Sequence, residues 1–263
     1  MNPRGGLALI RGLWLSWMQY RSFFFVLAFG WMIPPLIYLM VWSTAVGEGS
    51  LGGYTRGGFV AYYLVLILVN QITYAQVNWT VGDLIRYGQI NHILLRPIAP
   101  VYDALASEVA GKIVYLTFDI PILLILAFIM KPELTLTWEM GGLFLLALLL
   151  AWALRFLWGY WIALLAFWTS RADALLTLQD SLIFLLAGQV APVALLPGAL
   201  QVLAYVLPFR YMVAFPVEIL TGNLSGADAL QGFTIQFLWL AVSAFLTIFI
   251  WQRGVRRYAA IGG

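Results

Sequence analysis

The chain of 263 residues is 63% hydrophobic and 10% charged, with a formal net charge of +3. Because a soluble domain carries about 25% charged residues, this composition excludes a chain folded in water and indicates a protein embedded in a lipid bilayer. The absence of cysteine and the single histidine exclude disulfides, iron–sulfur clusters and most transition-metal sites, and no basic run indicates nucleic acid as a partner.

Residues 1–21 are predicted to form an amphipathic helix that lies along the membrane interface and connects to the first span. Trp14 and Trp17 fall on one apolar face at helical spacing, while Arg4 and Arg11 flank or oppose that face. Such a helix places tryptophan at headgroup level and arginine toward lipid phosphates. A helix that simply leads into the first span is an equally supported alternative, and both can hold.

Six apolar segments reach or approach the roughly 20 residues that a membrane-spanning helix needs. They occupy residues 22–46, 58–80, 108–130, 141–168, 175–190 with an extension, and 231–251. We therefore expect an all-α fold class, a single polytopic domain over residues 1–263. Its six-helix membrane domain covers 22–252, and a short tail follows at 253–263.

The segment after the fifth span is strongly apolar but cannot be one continuous helix. Pro192, Pro197, Pro208 and Pro216 each remove a backbone donor and clash with the preceding turn. An apolar but broken backbone predicts short helices that re-enter the outer leaflet and pack against protein.

Arginines and lysines in the short loops predict the orientation of the chain. With the N-terminus in the cytoplasm, most arginines fall on the cytoplasmic side, and only Arg56, Lys131 and Arg210 fall outside. We therefore expect a multi-pass protein of the inner (cytoplasmic) cell membrane, with both termini in the cytoplasm.

The connection at 82–97, between the second and third spans, has the sequence pattern of a short amphipathic helix that ends at Pro97. Its polar positions include Asp83, Arg86 and Gln89. Two interpretations have similar support: a helix that lies on lipid, and a docking element for a cytoplasmic partner.

Two charges fall deep in the membrane by residue count, Asp119 in the third span and Arg155 in the fourth. A charge near mid-bilayer costs about 2.5–3.5 kcal/mol, which favours positions that face protein and have a partner. Their heights differ by only about 5 Å at the rise of an α-helix. We predict an ion pair between the two helices, with a structural role favoured over a group that lines a substrate path.

The second span carries a polar stripe at helical spacing, and unpaired amides in hydrocarbon are costly. The stripe should therefore face protein or water, with helix–helix hydrogen bonding the commoner explanation and a central cavity or subunit interface the alternatives. It consists of Asn70, Gln71, Tyr74 and Asn78.

No catalytic motif is found, so no catalytic residue is predicted. The stretch nearest to a phosphate-binding loop, residues 106–113, lacks the leading glycine and the final serine or threonine. Within it, Lys112 is expected to extend its amine to the inner interface. Any energy from nucleotide hydrolysis must therefore come from another subunit.

Short motifs in a fixed order resemble those of a known family. The sequence Ile-Leu-Leu-Arg-Pro-Ile-Ala-Pro occupies 93–100, Gly-Gln-Val-Ala-Pro occupies 188–192, Leu-Pro-Phe-Arg-Tyr occupies 207–211, and a small basic ending occupies 253–258. Together with the helix before the spans, they resemble the permease subunit of an ABC-2 type ABC transporter. Residues 166–172 resemble the daunorubicin- and viologen-exporter-like subgroup. Gln189 and Val190 depart from the apolar or aromatic pair that is commoner in the family.

The resemblance implies half of an exporter for a hydrophobic or amphipathic substrate: a drug, a lipid or a lipid-linked glycan. It implies pairing with a second copy or a related permease in membrane lipid, and two cytoplasmic ATPase subunits that bind ATP and Mg, with no cofactor in this chain. It makes residues 82–97 a coupling helix, with an ATPase interface at Asp83, Arg86, Tyr87, Gln89, Asn91 and Arg96. It also makes the broken outer segment a gate, at Gln189, Pro192, Pro197, Pro208 and Arg210.

Two other functions remain open from the residues alone. A proton-coupled secondary transporter would use Asp119 as its proton site, although it is the only evident acid at mid-membrane depth. A membrane scaffold without transport would need neither an ATPase nor a gradient.

Overall fold

The computed structural model describes residues 3–96, 99–224 and 226–258, and within these residues the protein is helical without a β-strand. The helices are α1 (Pro3–Met18), α2 (Arg21–Val46), α3 (Arg56–Thr73), α4 (Val77–Arg86), α5 (Asn91–Leu94), α6 (Pro100–Met130), α7 (Trp138–Leu164), α8 (Ala172–Leu186), α9 (Gly198–Val206), α10 (Phe209–Met212), α11 (Ala214–Leu220) and α12 (Gly226–Arg257). Short 3-10 turns lie at Leu165–Phe167 and Val193–Leu195.

Five helical segments among the described residues are long and apolar enough to cross a membrane. They are Arg21–Val46, Arg56–Arg86, Pro100–Met130, Trp138–Phe167 and Gly226–Arg257. The fifth of the six predicted spans is instead α8, whose 15 residues rise about 22 Å, short of the roughly 30 Å hydrocarbon core. The prediction of membrane helices is therefore confirmed at five positions.

Local sequence explains where several helices begin and end. Thr55 caps α3 by accepting a hydrogen bond from Gly58 N at 3.0 Å, and Thr137 caps α7 in the same way. Pro100 is the first residue of α6, where its missing N–H would lack a partner in any case. The predicted helix at the N-terminus is present as α1.

The helix α3 forms the centre of the fold. The apolar stretch of Arg56–Arg86 is 67% buried, whereas that of Pro100–Met130 is 11% buried. At one end of the molecule, α3 packs against α11, and the hydroxyls of Tyr62 and Tyr63 donate to the carbonyls of Gly188 and Val190, both at 2.9 Å. We call this the α11 end, and the opposite end, where α4 and α5 lie, the α4 end.

The proline-rich segment is broken into short helices, as its sequence predicts. Pro192 and Pro197 precede a 3-10 turn and α9, Pro208 precedes α10, and Pro216 lies in the first turn of α11. These elements pack over the end of α3, where Tyr211 and Phe215 are fully buried. The buried aromatic side chains hold the segment against the rest of the protein.

The single helix predicted at 82–97 is wrong. Helix α4 ends at Arg86, the chain turns at Gly88, and only Asn91–Leu94 is helical again. Gly88 has a φ of 72°, a left-handed conformation that side chains disfavour, and it allows the chain to reverse. Pro97, the predicted end of the helix, lies outside the described residues.

Candidate functional site

The α4 end presents one polar surface made by α4, the turn after it and the neighbouring helix ends. The apolar side of α4 packs on this chain, because Ile85 and Ile90 are buried in a cluster with Phe156 and Leu176. The hydroxyl of Tyr258 donates to the carbonyl of Gly88 at 3.1 Å, which ties the end of α12 to the turn. The apolar face of this element is therefore covered by protein.

The exposed side of α4 carries Asp83, Arg86 and Tyr87, and we call these three residues the α4 surface. The Arg86 guanidinium lies over the Tyr87 ring at 5.2 Å and is 4.0 Å from the carboxylate of Asp173 in α8. A pair this exposed is held weakly. The side chains of the α4 surface are thus free to change partners.

Two clefts flank Arg86. One, of about 590 Å³, lies between α4 and the start of α8 and includes Asp83 and Asp173 in its lining. The other, of about 800 Å³, is bounded by Trp168 and Arg257. Arg86 lines both, so its side chain stands as a ridge between the two hollows, whereas Asp83 lines only the first.

The other predicted interface residues lie beside this ridge. Gln89 is exposed in the turn, and Asn91 is half-buried at the start of α5. Arg96 is exposed and donates to Asp103 at the start of α6, at 2.7 Å. These residues border the α4 surface without lining either cleft.

The predicted ion pair between Asp119 and Arg155 is not made. Asp119 accepts a hydrogen bond from Gln71, whereas Arg155 Nη1 donates to Asn70 Oδ1 at 2.7 Å and to Thr73 Oγ1 at 3.1 Å. Both charges are buried against protein, at 0% and 4% exposure. Helices α6 and α7 both pack against α3, so two adjacent amides of α3 separate the charges.

The polar stripe of the second span faces protein. Asn70 and Gln71 bind the two buried charges, and the Tyr74 ring lies 5.1 Å from the Arg155 guanidinium carbon. Asn78 donates to the Phe156 carbonyl at 3.3 Å, although its side-chain oxygen has no partner among the described residues. The residues of the stripe do not share one continuous helix, because the helix is broken between Tyr74 and Val77.

A buried ion pair in α6 was not predicted. Glu108 and Lys112 lie one turn apart with Oε2 and Nζ separated by 2.9 Å. Lys112 Nζ also donates to the Tyr74 carbonyl, and Glu108 Oε1 accepts from the Val77 amide, both at 2.7 Å. Lys112 therefore binds inside the protein rather than at the interface. The sequence signal for this ion pair is an acidic and a basic residue four positions apart in an apolar helix.

The α11 end contains a second buried ion pair, between Arg210 and Glu218, and Glu218 was also missed. The Arg210 guanidinium lies 4.4 Å from the centre of the Tyr205 ring. Of the predicted gate residues, Pro192, Pro208 and Arg210 are buried, Gln189 is half-buried and Pro197 is exposed.

No group of three or more histidine, aspartate or glutamate side chains that could hold a metal ion is found in the described part of the chain. A search of curated proteins gave no match. Residues 30–262 match the family described as ABC-2 family transporter protein. The match covers most of the chain, including most of the first membrane-crossing helix, the other four in full and the α4 surface. The chain therefore belongs to the ABC-2 family of membrane transporter proteins.

Proposed function

We propose that this chain is the permease subunit of an ATP-driven exporter and that the α4 surface is where a separate ATPase subunit docks. The family to which it belongs consists of membrane transport components that associate with ABC ATPases. The chain itself contains no phosphate-binding loop. In this proposal it forms half of the translocation pathway, and the partner binds ATP and Mg.

The observation that carries the proposal is the ridge-and-cleft shape of the α4 end. The buried side of α4, with Ile85, secures the element to this chain. The other side exposes Asp83 in one cleft and Arg86 between the two clefts. Such a surface offers a docking partner both charge and shape, because rim charges steer association and hollows accept side chains.

The proposed topology places the α4 end in the cytoplasm and the α11 end outside, with both termini cytoplasmic in the inner membrane. It is supported by arginine-rich loops at the α4 end. In this topology, α8 is the fifth of six spans along the chain. It is short, and α9, α10 and α11 re-enter the outer leaflet to complete its crossing.

The proposed complex contains two permeases, either two copies of this chain or one copy with a relative, and two ATPase subunits. The substrate is hydrophobic or amphipathic, such as a drug, a lipid or a lipid-linked glycan. The long apolar helices and the proline-broken outer gate support this class. The proposed subgroup is the daunorubicin-like one, and the Gln189–Val190 pair is the feature that would distinguish the exit of this chain from the commoner family pattern.

Purification of the tagged chain from its native membrane tests the proposal. The eluted native protein should hydrolyse Mg-ATP through a co-purifying subunit that has a phosphate-binding loop. The Arg86→Glu variant should lose most of that activity, because it reverses the charge between the two clefts. Arg56→Glu makes the same change at an exposed site near the α11 end and should keep it.

An eluate of the native chain without hydrolysis would contradict the proposed function. Full hydrolysis in Arg86→Glu, at the protein level of the native chain, would contradict the docking surface.

A further inference from the structure

The second membrane-crossing segment is interrupted where α3 ends and α4 begins. Residues 74–76 are not helical, so the backbone ladder is open inside the protein. Tyr74 follows the last residue of α3 and Val77 is the first residue of α4, so the Tyr74 carbonyl and the Val77 amide lie at the two open helix ends. Backbone groups left without partners at membrane depth are costly, so this break needs partners from elsewhere.

One turn of α6 supplies both partners. Lys112 Nζ donates to the Tyr74 carbonyl at 2.7 Å, and Glu108 Oε1 accepts from the Val77 amide at 2.7 Å. The two side chains also pair with each other, and they are only 15% and 4% exposed. We call Glu108 and Lys112 the 108/112 clasp.

The polarity of the clasp matches the two helix ends. The C-terminal end of a helix is partially negative and the N-terminal end partially positive. The cation of Lys112 binds the end of α3, and the carboxylate of Glu108 binds the start of α4. The arrangement therefore depends on which residue carries which charge, unlike a simple ion pair.

Helix α1 reaches the same place. The Trp17 ring lies against Gly111, where an added Cβ would come within 2.6 Å of Trp17 Cζ3. Gly111 is adjacent to Lys112 in sequence. The helix at the N-terminus, the broken span and α6 thus meet at the clasp.

We infer that Glu108 and Lys112 are positioning residues that fix the direction of α4 relative to the membrane helices. This inference rests on the proposed function in one respect, because it gives the direction of α4 a role in transmitting the partner's movement. With the clasp closed, α4 and α6 move together. With the clasp open, the three residues at 74–76 act as a hinge.

The absence of cysteine lets spin labels be placed only at introduced cysteines. One label at Tyr87, which is 60% exposed beside α4, is paired with one at Trp138, which is 98% exposed at the start of α7. The native chain in lipid nanodiscs should give one narrow distance. Glu108→Gln and Lys112→Met should each broaden that distance or split it into two.

Two further variants test whether the contacts of Glu108 and Lys112 with the two helix ends matter, or only the ion pair between them. Lys112→Arg keeps both the donor and the charge, and should retain the narrow distance. The double exchange Glu108→Lys with Lys112→Glu keeps an ion pair but turns a cation toward the Val77 amide and an anion toward the Tyr74 carbonyl. It should broaden the distance as much as the single changes do.

A second label pair, at Trp138 and Gln252, reports on the packing of α7 against α12, and it should stay narrow in every variant. This result excludes general loss of structure. A native-like distance between 87 and 138 in the double exchange would overturn the inference, as would native-like distances in Glu108→Gln and Lys112→Met.

A parallel measurement links the clasp to the partner. In the complex purified from native membranes, Glu108→Gln should keep the ATPase bound but change its hydrolysis rate, and Lys112→Arg should keep the native rate. If the native chain recovers no ATPase, the proposed function fails while the label distances still decide the clasp. If the ATPase is recovered and hydrolysis in Glu108→Gln equals the native rate, the coupling role of the clasp is wrong.

Discussion

The two ends of the molecule each bury an ion pair, but they use it differently. At the α11 end, Arg210 and Glu218 bind each other within one short stretch of chain, among fully buried side chains such as Tyr211 and Phe215. At the α4 end, Glu108 and Lys112 bind two free ends of a broken helix as well as each other. One pair completes a packed core, and the other joins two helices.

The surroundings of the two pairs differ in the same sense. Around the α3–α4 break, Asn78, Asp119 and Gln179 each have a buried oxygen without a partner among the described residues, and at the α11 end Gln236, which donates to the Tyr211 carbonyl, has one. A polar group without a partner can take a new one at little cost, whereas a closely packed aromatic core has few alternative arrangements. We therefore expect the α11 end to be rigid and the region around the α3–α4 break to be adjustable.

The largest expected effect is at the α11 end. Glu218→Gln removes the charge that neutralises Arg210, a side chain with 4% exposure in this pair, and leaves the cation buried. Loss of one partner of a buried pair costs about 3–5 kcal/mol. Thermal unfolding in detergent should show this loss, with exposed Glu139→Gln as the control that changes little. Equal melting temperatures of the native chain and Glu218→Gln would contradict a rigid α11 end.

Two glycines offer a matched test of the contrast. A Cβ at Gly232 would collide with the Phe215 ring, and a Cβ at Gly159 would collide with the Asn78 amide. Overpacking costs about 1–3 kcal/mol where the neighbour cannot move. Gly232→Ala should therefore destabilise the protein more than Gly159→Ala, because the Asn78 side chain can turn and a ring in the aromatic core cannot. Similar losses in both variants would show that the two regions are equally rigid.

Much of this fold follows from local sequence. The apolar lengths predicted six membrane helices, of which five are found, amphipathicity predicted α1, and the prolines predicted the broken segment before α12. These features depend on neighbouring residues alone, which is why composition and periodicity were enough. The predicted outer gate and ATPase interface stay predictions, since their functions depend on partners.

Two of the errors share a physical cause, because they depend on residues far apart in the chain. The break at 74–76, within Tyr-Ala-Gln, has no proline or glycine to announce it and is stabilised by side chains more than thirty residues later. The pair of Asp119 and Arg155 was predicted from equal height, but two amides of α3 lie between them. The depth of a residue in the membrane can be counted from the sequence, but the sequence does not show which helices lie side by side.

The variant Asp119→Asn should change the free energy of unfolding least. Asp119 is fully buried, accepts from Gln71 through one oxygen and leaves the other unpaired among the described residues. Asp119→Asn removes a buried charge that no cation in the described part of the chain neutralises, and it keeps an oxygen for Gln71. The free energy of unfolding should therefore change by less than about 1 kcal/mol or increase, whereas the chemically equivalent Glu218→Gln should lower it strongly. Chemical unfolding of both variants in the same detergent gives the comparison. A large loss in Asp119→Asn would mean that this carboxylate has a cationic partner, and it would contradict an adjustable region around the α3–α4 break.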